Sequence, residues 1–329
     1  MPTRIPDFGA TAEVALTILV DNHADLLVPA TATVKRFTDT PLLAEHGFAA
    51  LIDLPTAGTR ILWDAGHTPI ALPENLKRMK IDPTSIQQIA LSHGHGDHTA
   101  ALTELLKALN LKPEAREWQA NAAPEAIRTW ATGRRLPIIA HPAAFRERWK
   151  LNEDGTRVGP YPPPPRAEWE ALGAQVILAD APYALAPGCW TTGTIPRASF
   201  ETAGIAPTMG FRDGDTFARD YIEDDQAIVI NLKDKGLIVL SGCAHAGIVN
   251  TVNYARAISG VERVLAVIGG FHLASAQAGD LARTVAAIRQ LDPSVIAPTH
   301  CSGLAATAEF ARQMPDAFTQ AVVGTTFLF

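Results

Sequence analysis

Apolar and polar positions alternate along this chain with two different periods. Short runs rich in Val, Ile, Leu and Ala, bounded by Gly, Pro, Asn and Asp, read as strands: "VALTILVDN", "GFAALIDL", "RILWDAGH" and "IQQIALSHG" in the first third. After His98 the period changes, because Ala101, Leu102, Leu105, Leu106 and Leu109 fall at helical spacing. The last third repeats the rhythm, with "QVILAD", "QAIVINL", "GLIVLSG", "RVLAVIGG" and "SVIAPTH" as strands and "IVNTVNYARAI" and "DLARTVAAIRQL" as helices. Strands alternating with helices imply sheets covered by helices. The pattern predicts an α/β (α+β) chain with sheets inside and helices outside, forming one domain over 1–329 with no linker dividing it.

The middle, at about 110–166, is less regular. Pro162 to Pro165 cannot lie inside a helix or a central strand, so this Pro-rich insertion is expected to form a stiff loop or lid on the surface. Within it "LPIIAHPAAF" reads as a strand ending at His141, followed by a helix through Trp149.

Composition narrows the class. With 47% hydrophobic and 19% charged residues and no apolar run beyond strand length, the chain reads as globular and not membrane-embedded. A net charge of -6 without a dense Lys/Arg block offers no footprint for nucleic acid or an anionic membrane, so the expected partner is a small-molecule substrate. Three cysteines, Cys189, Cys243 and Cys301, are an odd number that argues against a disulfide framework and points to the cytoplasm. The N-terminal apolar piece is short and interrupted by Glu13, which reads as no signal peptide.

Six of the ten histidines, His93, His95, His98, His245, His272 and His300, stand in or just after a strand-like run. Strand ends are where ligands bind in such architectures, so the placement suggests one shared site. The densest part is "HGHGDH". His93 and His95, two apart, can point the same way from extended chain and hold one metal, while Gly94 and Gly96 allow a tight turn. Asp97 and His98 open the following helix, diverge from that pair and can hold a second metal nearby.

"HGHGDH", preceded by "ILWDAGH", resembles the metallo-β-lactamase superfamily, whose fold is a four-layer αββα sandwich with a one- or two-metal site. "LVDN", "EHGFAALI", "TTGTIPR", "SGCAHAGIVN", "IGGFHL" and "THCSG" are similar to its dihydropteroate synthase-like subfamily. Archaeal members of that subfamily include a synthase that joins a dihydropterin pyrophosphate to a ribofuranosyl-aminobenzene phosphate. The resemblance spans nearly the whole chain. It implies that Cys243 stands where the superfamily has a metal-bridging acid, although a small buried thiol is also ordinary core material. It further implies His300 as the final histidine ligand and Asp64 as the group that orients a ligating histidine through its other nitrogen. Arg197 is expected to bind a phosphate or carboxylate of the substrate, and Asn22 and His46 match subfamily motifs as substrate contacts.

One departure stands out. The turn that usually supplies a further histidine corresponds here to "TTGTIPR", which has none, so the first metal lacks an obvious third ligand. His245 or His272 can supply it, or water can; the reading taken is His245 as ligand and His272 as a substrate-facing acid/base or ligand. His23, His67 and His141 read as structural, and Cys301 is expected to face away from His300's metal, as neighbours on extended chain do. Two divalent transition metals, zinc foremost with manganese or iron as alternatives, would lower the pKa of bound water toward about 7 and stabilise oxyanions. The function expected is that of a metal-dependent hydrolase or transferase acting on a small phosphorylated or heterocyclic substrate, with Asp97 and His272 as catalytic groups. The alternatives are a di-iron redox protein and a non-catalytic metal-containing sensor of a small ligand.

Overall fold

Most of the predicted strands bury both faces, the edge strand in "QVILAD" excepted, and the alternation of their side chains sorts them into three apolar layers. The computed structural model describes residues 3–111, 121, 123–124, 135–202, 204 and 208–329. Numbered in chain order, the first sheet contains β1 (Ala15–Val20), β2 (Val34–Arg36), β3 (Ala49–Leu54), β4 (Thr59–Trp63), β5 (Gln88–Ala90), β6 (Leu136–Ala140), β9 (Ala174–Leu178) and β18 (Thr325–Leu328). Their spatial order is β2-β18-β1-β3-β4-β5-β6-β9. The second sheet contains β10 (Tyr183–Ala186), β11 (Cys189–Thr191), β14 (Ala227–Leu232), β15 (Gly236–Ser241), β16 (Val264–Gly270) and β17 (Val295–Thr299), in that order.

Period-2 alternation decides which layer each residue joins. Leu16 and Ile18 of β1, Ile52 and Leu54 of β3, Ile228 and Ile230 of β14 and Ile238 and Leu240 of β15 meet in the core between the sheets. The opposite faces pack outward. Leu51, Leu62 and Ile89 lie against Leu72 of helix Ala71–Arg78, Leu105 of helix Leu102–Leu109 and Trp169 of helix Arg166–Ala171. Val229, Val239 and Val267 lie against Val252 of helix Ile248–Ser259, Ile288 of helix Ala278–Gln290 and Phe310 of helix Leu304–Gln313. The result is the αββα layering that the sequence predicts.

β4, β5, β6 and β9 run parallel, and β1 runs with them because both β1 and β4 pair antiparallel to β3. In the second sheet β15, β16 and β17 are parallel, with β14 antiparallel to β15. The carboxyl ends of the parallel strands and the amino end of β14 meet at one edge of the sandwich, which is where the histidines lie.

Three features differ from the sequence reading. The helix predicted through Trp149 is a short 3-10 turn, Pro142–Phe145, followed by strand β7 (Arg148–Leu151). His141 caps that turn by accepting from the Ala143 N–H, extended backbone at Arg146 ends it, and the following residues pair with β8 (Arg157–Tyr161) and β12 (Met209–Asp213). With β13 (Thr216–Arg219) these strands form a third, four-stranded sheet beside the sandwich. The Pro-rich segment Pro162–Pro165 joins β8 to helix Arg166–Ala171, while most of 112–134 lies outside the described residues. Lastly, β18 inserts between β1 and β2, a strand the sequence reading did not assign. Among the described residues no helix is long and apolar enough to cross a membrane.

Candidate metal centre

The turn after β5 puts the "HGHGDH" stretch over the edge where the two sheets meet. Two groups of donors form there. Asp97, His98, Cys243 and His300 have ligand atoms all within 4.8 Å of one another, and His93, His95 and His245 form a second such set. Cys243 also stands within that distance of His245 and His272, so it borders both sets. Eight side chains from four segments thus converge, and all but His95, Asp97 and His272 are buried.

The orientation of each imidazole is fixed from behind. His98 Nδ1 meets Asp64 Oδ2 at 2.7 Å, and its Nε2 faces Cys243 Sγ at 3.1 Å. His93 Nδ1 meets Ser92 Oγ at 2.9 Å. His245 donates from Nδ1 to the Gly204 carbonyl at 2.8 Å, and His300 Nδ1 meets Asn22 Oδ1 at 3.0 Å. The Nε2 of His245 is buried with no hydrogen-bond partner among the described residues, and the buried Nε2 of His300 faces only the Asp97 carboxylate, 3.3 Å away. Orphaned buried nitrogens are costly unless a ligand takes them, and nitrogens fixed on the far side are the usual arrangement behind a metal. The residues present therefore fit a metal.

Electrostatics point the same way. Burial, together with the neighbouring His98, keeps His93 well below the ordinary imidazole range; burial with Arg148 takes His95 to about 4, and burial with His272 holds His245 well below. These three are neutral imidazoles, the form that ligates metal. In the other set burial opposes charge, but Asp97 and Asp64 outweigh it and raise His98 to about 9. Burial likewise opposes ionisation of Asp97, yet His98, His300 and His95 hold its carboxyl well below the usual range. Burial pushes the Cys243 thiol up, and a divalent cation is what would hold it as thiolate.

The backbone is bent to achieve this convergence. Asp64 (φ 58°), Ala244 (φ 55°), His272 (φ 48°) and His300 (φ 47°) all adopt the left-handed conformation at the site. Such conformations are unfavourable for residues with a Cβ and gather where function over-determines them. Ala244 turns the chain so that Cys243 and His245, two apart, face different donor sets.

The "TTGTIPR" segment contributes no ligand, yet it carries the loop that does. Arg197 donates from Nη1 to the His245 carbonyl at 2.5 Å and from Nη2 to the Tyr221 carbonyl, so its guanidinium is engaged with main chain. Asn250 Oδ1 accepts from the Ala198 and Ser199 N–H groups, and Glu201 accepts from the Val249 and Asn250 N–H groups. Asn22 lies behind His300, while His46 stands at the exposed mouth with Nε2 3.5 Å from Asp97 Oδ2. His272 packs against His245 with ring centroids 4.1 Å apart.

His23 and His67 are exposed, and His141 is occupied by Thr194 Oγ1 and the Ala143 N–H, so these three stay outside the donor sets. The expectation for Cys301 is corrected. Residues His300–Ser302 form a 3-10 turn instead of extended chain, which brings the Cys301 thiol onto Cys243 and His272. Sequence reasoning also missed "DDQ" before β14. Asp224 accepts from the Gly94 N–H at 2.7 Å and from Arg148 at 2.5 Å, Asp225 accepts from the Ala246 N–H at 2.8 Å, and Gln226 Nε2 donates to the Leu91 carbonyl. Three adjacent side chains therefore pin both ligand-bearing loops; two acids and an amide opening a buried strand were the available signal.

The family model described as the metallo-beta-lactamase superfamily matches residues 44–170. A 7,8-dihydropterin-6-methyl-4-(beta-D-ribofuranosyl)-aminobenzene-5'-phosphate synthase from Methanocaldococcus jannaschii is 30% identical over 295 residues, covering 88% of this chain and 92% of that protein. An uncharacterised protein of the same organism is 29% identical over 304 residues, 90% of this chain and 94% of its own. Among solved structures, a metal-dependent hydrolase of the beta-lactamase superfamily superposes with a TM-score of 0.69 at 18% identity, over 95% of this chain and 98% of that one. The metallo-beta-lactamase fold protein YhfI from Bacillus subtilis does so with a TM-score of 0.53 at 13% identity, over 97% and 100%. On its fold and on the extent of the synthase match, the chain belongs to the metallo-beta-lactamase superfamily, in the family of that dihydropterin-linked synthase.

Proposed function

We propose that the protein is a metal-dependent enzyme that uses two divalent transition metals to transfer a group from a phosphorylated heterocyclic substrate, a synthase reaction of the kind for which the Methanocaldococcus relative is named. The observation that carries this reading is the pair of adjoining donor sets, with His93, His95 and His245 for one metal and Asp97, His98, Cys243 and His300 for the other. Zinc suits these nitrogen, sulfur and carboxylate donors, with manganese and iron as competitors. Bound there, the metals supply charge stabilisation to a departing pyrophosphate or phosphate and can activate water.

The chain's own residues do the rest. Asp64, Ser92, Asn22 and the Gly204 carbonyl lock the ligating rings, so little reorganisation remains at the moment of reaction. His46, at the mouth beside Asp97, is placed to touch the substrate. His272, with a buried Nδ1 that finds no partner among the described residues, is placed to hold or deliver a proton at that nitrogen. Arg197 acts by holding the His245 loop, which revises its expected role as a direct substrate contact.

The experiment is to supply the metal-loaded protein with a pterin-methyl pyrophosphate and an aryl amine. Metal-dependent coupling with release of pyrophosphate is expected. Release without coupling, with water as acceptor, would make the enzyme a hydrolase, and inactivity with every metal would reject the reading.

A further inference from the structure

Beside His95 a cleft of ≈ 340 Å³ opens toward solvent. Its size is at the small end of ligand sites, which run from about 300 to 1,000 Å³, so it suits a ring-sized group better than a polymer. One wall is the turn Gly94–Gly96. A Cβ on Gly94 would lie 2.0 Å from the Ala144 carbonyl oxygen, whereas one on Gly96 would meet nothing within 4 Å, so at Gly96 the turn offers bare main chain to an open space. The cleft is also lined by Tyr161, the last residue of β8, by Pro162 and Pro163 just beyond it, and by Met209 of β12. Glycine main chain, two proline rings and a tyrosine are stiff and largely apolar, the kind of lining against which a flat ring packs.

Charge decides what kind of ring. Arg148, which lines the cleft, is buried and already paired with Asp220 at 2.6 Å and Asp224 at 2.5 Å. Arg146, the other cation there, pairs with Glu223 and stacks over Phe211 with its guanidinium carbon 4.2 Å from the ring centroid. A phosphate entering the cleft would find no unpaired cation among the described residues. Arg146 has five N–H donors, of which the Glu223 pair uses Nη1, so donors remain for a ring nitrogen or carbonyl oxygen.

We infer that this cleft seats an uncharged, flat nitrogen heterocycle of the substrate and directs its charged groups toward the donor cluster past His95. The inference rests on the proposed function for its choice of substrate, and on the cleft alone for its location. Binding of 6-hydroxymethylpterin to the metal-loaded protein, followed by quenching of pterin fluorescence, tests it. Wild type should bind saturably, Met209→Trp, which fills the cleft, and Tyr161→Ala, at an exposed position, should each raise the dissociation constant at least tenfold with metal content unchanged, and inorganic pyrophosphate should not displace the pterin. Absence of binding, binding that both variants leave intact, or displacement by pyrophosphate would overturn the assignment. Pterin binding without any turnover of phosphorylated substrate would count against the proposed reaction and leave the cleft standing. Turnover with KM unchanged in both variants would do the reverse.

Discussion

At the residue scale, what sets this centre apart is His245, which reaches the His93/His95 set from a position two beyond Cys243. Its Nδ1 is committed to the Gly204 carbonyl, so only Nε2 is left to face the cluster. Removing Arg197, which holds the His245 carbonyl, should loosen that geometry without touching the other donor set. Arg197→Ala is expected to lower affinity for one metal by about 10–100-fold, the usual cost of losing an outer partner, while a second ion stays bound; titration with a chromophoric chelator reads both. Asp224 holds Gly94 and Arg148 together in a buried network. Asp224→Ala leaves the guanidinium with Asp220 alone and should cost about 3 kcal/mol in urea unfolding, at the lower end for a broken buried pair.

At the element scale, the site is a set of loops hung from strand ends. The central strands of the two large sheets were legible in the sequence, because β3, β14, β15, β16 and β17 bury both faces and so read as apolar runs between turn residues. "HGHGDH" was equally legible, since its spacing alone separates two ligand pairs. The link between "TTGTIPR" and "SGCAHAGIVN" was not, because each of its bonds joins a side chain, that of Arg197, Asn250 or Glu201, to main chain far away in sequence, and main-chain partners leave no residue pattern to read. Cys301 was misjudged because His300 adopts φ 47°, which turns the chain out of the extended geometry assumed for it. The small third sheet was hidden by its exposed, charged and short strands, in which only Gly210 and Arg148 are buried. Close approach between loops makes its own prediction. A Cβ at Gly242 would lie 2.1 Å from Ser92 Oγ and 2.9 Å from Asp64 Oδ2, the two groups that orient His93 and His98. Gly242→Ala should therefore reduce binding of both metals, whereas Gly96→Ala, with open space around it, should leave metal content unchanged.

At the scale of the whole molecule, two sheets pack face to face so that strand ends from both open on one edge, and the metals would bridge them: His93, His95, Asp97 and His98 come from the first sheet's side, Cys243, His245 and His300 from the second's. Metal binding should thus be felt as global stability. The left-handed residues at the site oppose folding, and bound metal offsets that cost. Zinc at a hundred times the dissociation constant of each site should add about 2.7 kcal/mol per bound ion and raise Tm by about 4 °C per ion over chelator-treated protein, read by calorimetry. The central claim is that two ions sit in separable sites. Elemental analysis of the purified protein and of two variants tests it most directly. Two transition-metal ions per chain in the wild type are expected, with one remaining in His95→Ala and one in Cys243→Ala. A wild-type chain that takes up no metal, or a Cys243→Ala variant that keeps both ions, would contradict it.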